Sequence, residues 1–427
     1  MAKQQMVNKF FVGLLLIVYT ALALAQAPQV ILPRSGLVAS DLAVVVNSRD
    51  PLSIKIANYY QQQRQIPAEN IISIEFDVGA SVMSPVLFAR LIKRVEQQTP
   101  TSVQAYVLTW AAPYRVGCMS ISAAFAFGYD KKYCASGCKA TAPSFYADSN
   151  SLQPYQDFAI RPTMLLAAEN FAQAKALIDR GVAADGNAFK DLAPTAYLVE
   201  TPDKNRSVRK AYFPRVADQL GSQIQVKRLQ AKSIQQRQDV MFYFTGAIRV
   251  PDIESNRYMP GAMADHLTST GGQLTDSRQM SALRWLEAGA TGSYGTVVEP
   301  CNLLTKFPNP LVAINRYLQG ASLLEAYWKS VVMPGQGVFI GEPLAKPYAN
   351  YYIAPVSDGL RLTSPVLLPG FYKLLVADQL SGPFTLLRSG IELSVFQRHI
   401  LLSKPYAAVY KIERLKTLSA PSWPTYR

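Results

Sequence analysis

Histidine is nearly missing from this chain: there are two in 427 residues, His266 and His399. That scarcity excludes a two-histidine metal site in the main domain. It also forces any Ser–His or Cys–His pair there to use His266. His399, in Phe396-Gln397-Arg398-His399-Ile400, reads as a surface residue near the C-terminus. The strained Gly-x-Ser-x-Gly elbow of a serine nucleophile is absent. So is a glycine-rich phosphate loop followed by Lys-Ser or Lys-Thr. Gly289-Ala290-Thr291-Gly292 has small residues but leads into a strand, which fits a helix-to-strand connection. After residue 25 no apolar run is long enough to span a bilayer.

Cysteine is scarce too, with four residues: Cys118, Cys134, Cys138 and Cys301. Their spacing matches no common zinc finger, and no metal or other cofactor is expected. Residues 1–25 have the build of a secretory signal: Lys3 and Lys9, an apolar run from Phe10 to Leu24, and Ala23-Leu24-Ala25 before Gln26. Export to the periplasm or beyond favours disulfides for an even cysteine count. Three pairings are possible, and we expect Cys134–Cys138 with Cys118–Cys301. Without Lys3 and Lys9 the chain keeps 41 basic against 29 acidic residues. No nucleic-acid motif accompanies this excess. It reads as a solvated surface suited to anionic envelope polymers rather than to nucleic acid.

What is present is a βα rhythm. Leu42 to Val46 is a wholly apolar β-branched run, as in a buried parallel strand. Asp50 and Pro51 then open a helix that lasts to Arg64. Strand Ile71 to Phe76, helix Ser84 to Gln97 and strand Val103 to Thr109 repeat the unit. Residues 111–161 lose the period, hold three cysteines and read as a stapled insertion. Helical spacing returns at Thr163 to Arg180, with Gly181 as its stop. Ala196 to Val199 is a strand, Arg206 to Leu220 a helix with Pro214 inside it, and Ile224 to Val226 an edge-like strand. Two further strands, Met241 to Phe244 and the run to Glu299, flank the helix at Gln279 to Ala288. Helices at 309–318 and 322–332 and a strand Gly337 to Gly341 complete an α/β domain over 26–348. Beyond it, Gly370 to Val376, Phe384 to Arg388, Ile391 to Phe396 and Ala407 to Ile412 are short runs split by Gly, Pro and Ser. They read as a small all-β module over 349–427.

Ligands of open α/β sheets bind at strand carboxyl ends. The expected rim therefore comprises Thr245, Gly246, Asp265, His266 and Glu299. His266 could act as a base toward Cys301, although a catalytic thiol must stay reduced. Ser269 and Asp265 are its other neighbours. Asp265, Glu299 and Glu342 are carboxylates at strand or loop ends that could do acid–base work if brought together.

Several stretches together resemble a family of exported bacterial proteins found with exosortase-type sorting systems. They are Val46-Asn47-Ser48-Arg49-Asp50-Pro51-Leu52-Ser53, Gln65-Ile66-Pro67-Ala68-Glu69-Asn70, Pro260 to His266, Tyr294 to Pro300 and Gly341-Glu342-Pro343-Leu344. A more distant resemblance is to gingipain-like cysteine peptidases. It implies a caspase-like, mostly parallel sheet with helices on both faces, followed by a β module. Gingipains carry the base in Thr-Gly-His-Gly, where this chain reads Thr245-Gly246-Ala247-Ile248. Their nucleophile falls near Ala262-Met263-Ala264-Asp265-His266, which has no cysteine. The resemblance thus implies an empty catalytic pair and non-catalytic binding of a peptide or surface polymer at the rim. The alternative is a hydrolase using His266 with Cys301 or a carboxylate.

Overall fold

The computed structural model describes residues 28–135, 137–186, 193–394 and 397–415. The expected leader, 1–25, lies outside them. Among the described residues no helix is long and apolar enough to cross a membrane.

The expected βα units form a ten-stranded sheet. Its strands are β1 (Leu42–Asn47), β2 (Ile71–Ile74), β3 (Ala105–Leu108), β4 (Thr163–Leu165), β5 (Thr195–Glu200), β6 (Gln225–Gln230), β7 (Val240–Gly246), β8 (Tyr258–Leu267), β9 (Gly292–Thr296) and β10 (Gly337–Gly341). The spatial order is β6-β5-β7-β8-β9-β10-β4-β3-β1-β2. Every neighbouring pair is parallel except β9 with β10. That single reversal divides the sheet into two parallel halves running in opposite directions. Strand carboxyl ends of β1–β4 and β10 therefore lie on one edge, and those of β5–β9 on the other. Glu342 cannot meet Asp265 or Glu299, because it follows β10 on the far edge.

Helices start where capping chemistry stands. Asp50 accepts from the Leu52 amide, with Pro51 in the first turn of α1 (Pro51–Arg64). Ser84 does the same for Leu87 in α2 (Pro85–Gln98). Each cap supplies an acceptor for an amide that has no partner within the helix. Asn47-Ser48-Arg49-Asp50 is likewise a turn held from within. Buried Asn47 exchanges bonds with Phe76 through its side-chain amide and accepts from Arg49 N.

Several segments differ from expectation. Thr163 to Arg180 is not one helix: Thr163–Leu165 is a central strand, and α4 begins only at Phe171 and runs to Ala184. Leu165 pairs with both Leu108 and Ile340, so neighbours on each side override the helical spacing. The insertion is not all loop, since α3 (Ile121–Phe127) is almost wholly buried against β4 and β10. The cysteines pair as Cys118–Cys134 and Cys138–Cys301. This corrects the expected pairing. After α3 the chain doubles back, and a turn at Lys131–Tyr133 places Cys134 beside Cys118. Cys138 is left to reach the turn after β9.

Gly181 does not stop α4 but lies inside it. A Cβ there would sit 2.4 Å from Glu342 Cγ. Glu342 is fully buried. It accepts from Tyr60 Oη (2.8 Å) and from Arg64 Nε and Nη2 (3.0 and 2.6 Å). The Gly-Glu-Pro-Leu motif is thus a clamp joining α1, α4 and β10. Gly181→Ala should cost about 1–3 kcal/mol through overpacking, although helix propensity alone would favour alanine by about 1 kcal/mol. A urea midpoint equal to or above native would refute the clamp.

The C-terminal module is a small sandwich of β11 (Tyr352–Val356), β12 (Gly359–Thr363), β13 (Gly370–Ala377), β14 (Thr385–Leu393), β15 (His399–Leu402) and β16 (Val409–Arg414). The two expected runs Phe384 to Arg388 and Ile391 to Phe396 belong largely to one strand, β14. One sheet is β11-β12-β15, and the other is Gln29–Ile31, β16, β13 and β14. The strand Gln29–Ile31, expected with the α/β domain, instead pairs parallel with β16. Val30 and Leu32 pack on the module's core of Leu362, Tyr372, Leu374 and Ile412.

Candidate functional site at the β5–β9 edge

The rim brings together the residues expected of it, but turns most of their side chains inward. In the β7–β8 register Phe244 stands opposite Asp265 and Thr245 opposite His266. Adjacent residues of a strand face opposite sides of the sheet, so Asp265 and His266 cannot act on one group. Glu299, after β9, is exposed. The other four are buried.

Asp265 is spent on Arg209, which the sequence reading passed over. Arg209 comes from the 3-10 segment Ser207–Tyr212 that precedes α5 (Phe213–Leu220). Its Nη1 lies 2.5 Å from Asp265 Oδ1, and each side chain is 1% exposed. Nη2 donates to the Thr245 and Asp265 carbonyls at 2.6 and 3.2 Å. The guanidinium also covers the Phe244 ring, 5.4 Å from its centroid. Burial pushes the Asp265 carboxyl up to about 6, while Arg209 pulls it down. Asp265 interrupts a run of small and apolar residues, a pattern that calls for a buried cation partner. Nothing in the sequence says which arginine supplies it.

On the opposite face His266 belongs to an aromatic cluster. Its Nδ1 accepts from Trp285 Nε1 at 2.9 Å, and Trp285 sits in α6 (Leu283–Glu287). Tyr243 and Tyr258 pack edge-on against the same indole. Burial, with the Arg209 charge adding to it, holds the imidazole down at about 3, against a small opposing pull from the Met280 backbone. Nδ1 carries the lone pair that a general base would use, and the indole N–H occupies it. The imidazole is neutral and its basic nitrogen is engaged.

Thr245 Oγ1 donates to the Val199 carbonyl at 3.0 Å. Gly246 is glycine because the 201–207 loop lies on it: a Cβ would be 1.9 Å from Arg206 O. Gly295 is covered by Gly271 and Gly272 in the same way, its added Cβ falling 2.4 Å from Gly271 C. Thr268 Oγ1 donates to Gln279 Oε1 (2.6 Å), and Arg206 Nε reaches Thr268 Oγ1 (3.3 Å). Loops 201–207 and 268–282 therefore cap the rim. Glu299 Oε1 accepts from the Cys301 amide at 2.8 Å, which fixes the turn that carries the disulfide to Cys138. Cys301 is thus no thiol, and the His266–Cys301 pairing has no nucleophile here. Among the described residues no group of three His, Cys, Asp or Glu is placed to hold a metal ion.

No family model matches the chain. No curated protein matches it either. A solved structure called "Structure of Protease" aligns with 88% of this chain and 97% of its own, at 9% identity and a TM-score of 0.44. A likeness that loose carries no statement about activity.

Proposed function

We propose that this is an exported, non-catalytic protein of caspase-like, gingipain-like architecture that binds a peptide or cell-surface partner in the envelope. One observation carries the reading: the histidine, the buried carboxylate and the sulfur at the rim are already engaged. Asp265 holds Arg209, His266 holds Trp285, and Cys301 is joined to Cys138. A partner would meet the loops over the rim, where Lys204, Ile248, Arg249, Arg278 and Glu299 are exposed. Two disulfides support an oxidising compartment. The parallel βα order and the sandwich that follows it support the kinship of architecture.

The test is alkylation of the secreted protein, denatured but not reduced, read by mass, together with hydrolysis of a fluorogenic peptide library. The expected results are no alkylated cysteine and no turnover. A reactive thiol, with turnover lost on Cys301→Ser, would establish the hydrolase instead. For the binding arm, retention on isolated envelopes should fall several-fold in Arg249→Glu/Arg278→Glu, and unchanged retention would move the contact off this face.

A further inference from the structure

The module carries a cleft separate from the rim. It encloses about 490 Å³ between the β11–β12 turn, β14 and β15. β12 and β15 pair with Arg361 opposite Leu401 and Thr363 opposite His399. Leu362 and Ile400 point into the core, so Arg361 and His399 share the outer face as diagonal neighbours. Arg388, on β14, lines another part of the wall, and Gln397, Ser357 and Asp358 complete the polar lining. Gly390 at φ 70° lowers that wall, with no atom within 4 Å of an added Cβ.

Arg361 and Arg388 are exposed, and among the described residues neither has an ion-pair or hydrogen-bond partner. Two unpaired cations facing one cleft raise its affinity for anions. Among the described residues from 349 onward there are seven Lys and Arg against four Asp and Glu, so the field around the cleft has the same sign.

We infer that this cleft binds an acidic polysaccharide through its carboxylates. A guanidinium presents a planar fork that matches a carboxylate. Gln397, Ser357 and Asp358 supply donors and acceptors suited to sugar hydroxyls. Val356, Ile391 and Leu401 add apolar surface for a sugar ring. The same fork would take a phosphate, but the apolar side chains and hydroxyl-matching groups around it suit a sugar acid, and vesicles carrying phosphate headgroups test the difference. The cleft goes beyond the proposed rim contact and does not depend on it.

The experiment is calorimetric titration of the intact protein with polygalacturonate oligomers. Neutral dextran and phosphatidylglycerol vesicles are the comparison probes. Arg361→Gln/Arg388→Gln should weaken polygalacturonate binding about tenfold or more, since two charge-assisted contacts are lost. Lys93→Gln/Arg94→Gln, exposed on α2, removes the same charge and should change binding by less than about twofold. Lys131→Gln/Lys132→Gln, exposed on the insertion, should also leave it unchanged, whereas the rim contact is read separately through envelope retention of Arg249→Glu/Arg278→Glu. Equal loss in all three pairs would reduce the effect to bulk charge and overturn the proposal. So would no binding by the native protein, or vesicle binding that depends on Arg361 and Arg388 and exceeds polygalacturonate binding.

Discussion

Asp265→Ala should lower unfolding stability by about 3–5 kcal/mol, because it leaves the Arg209 guanidinium buried without a counter-charge. Arg209 is 1% exposed and cannot turn to solvent without lifting the 3-10 segment off the sheet. Its two carbonyl contacts remain, which places the loss nearer the low end of that range. Removing both charges should behave differently. Asp265→Leu/Arg209→Met restores apolar contact with Phe244 and should recover to within about 1 kcal/mol of native, since a buried pair costs much of what it returns. Urea unfolding of the native protein, both single variants and the double variant closes the cycle. A loss under about 1 kcal/mol for Asp265→Ala would mean that Arg209 finds water after all. A double variant as unstable as the single would mean that the pair is needed for itself.

The second large effect is on acid stability. His266 is depressed from 6.5 to about 3 in the folded chain. Its contribution is complete above pH 6.5 and is lost as pH falls toward 3, because the unfolded chain takes up a proton that the folded chain refuses. Over that window the loss amounts to about 5 kcal/mol. Asp265 acts in the other sense. Its folded value is raised to about 6, so it stabilises at low pH and that contribution fades as pH rises from about 4 to 6. The two nearly cancel between pH 4 and 6, and His266 prevails outside that interval. His266→Gln keeps a polar side chain and removes the titration. Plotted against the native protein, its relative stability should climb as pH drops below 6.5. Parallel profiles would mean that His266 is hydrated and free to protonate.

Much of the architecture could be read from residue order, because buried parallel strands announce themselves as β-branched runs and their helices as capped periods. Leu42–Asn47, Pro51–Arg64 and Pro85–Gln98 needed no tertiary information. Thr163–Leu165 did, since Met164, Leu165, Leu166, Ala167 and Ala168 suit a helix equally well and only Leu108 and Ile340 decide otherwise. Thr245, Gly246, Asp265, His266 and Glu299 do share one sheet edge, but their burial could not be read from the sequence. Whether Asp265 and His266 face a cleft or a neighbour depends on Arg209 and Trp285, 56 and 19 residues away. Disulfide partners were hidden for the same reason: sequence spacing says nothing about where a folded-back insertion brings its ends.

The seam between Gln29–Ile31 and Val409–Arg414 sets an order of events at birth. Its first half emerges from the ribosome some 380 residues before its second. Until then Val30 and Leu32 have no core to enter, and the α/β domain must assemble with a loose leading arm. Closure of the module is therefore a late, whole-chain step. A chain halted short of residue 409 would keep that arm open to proteases even with the ten-stranded sheet complete.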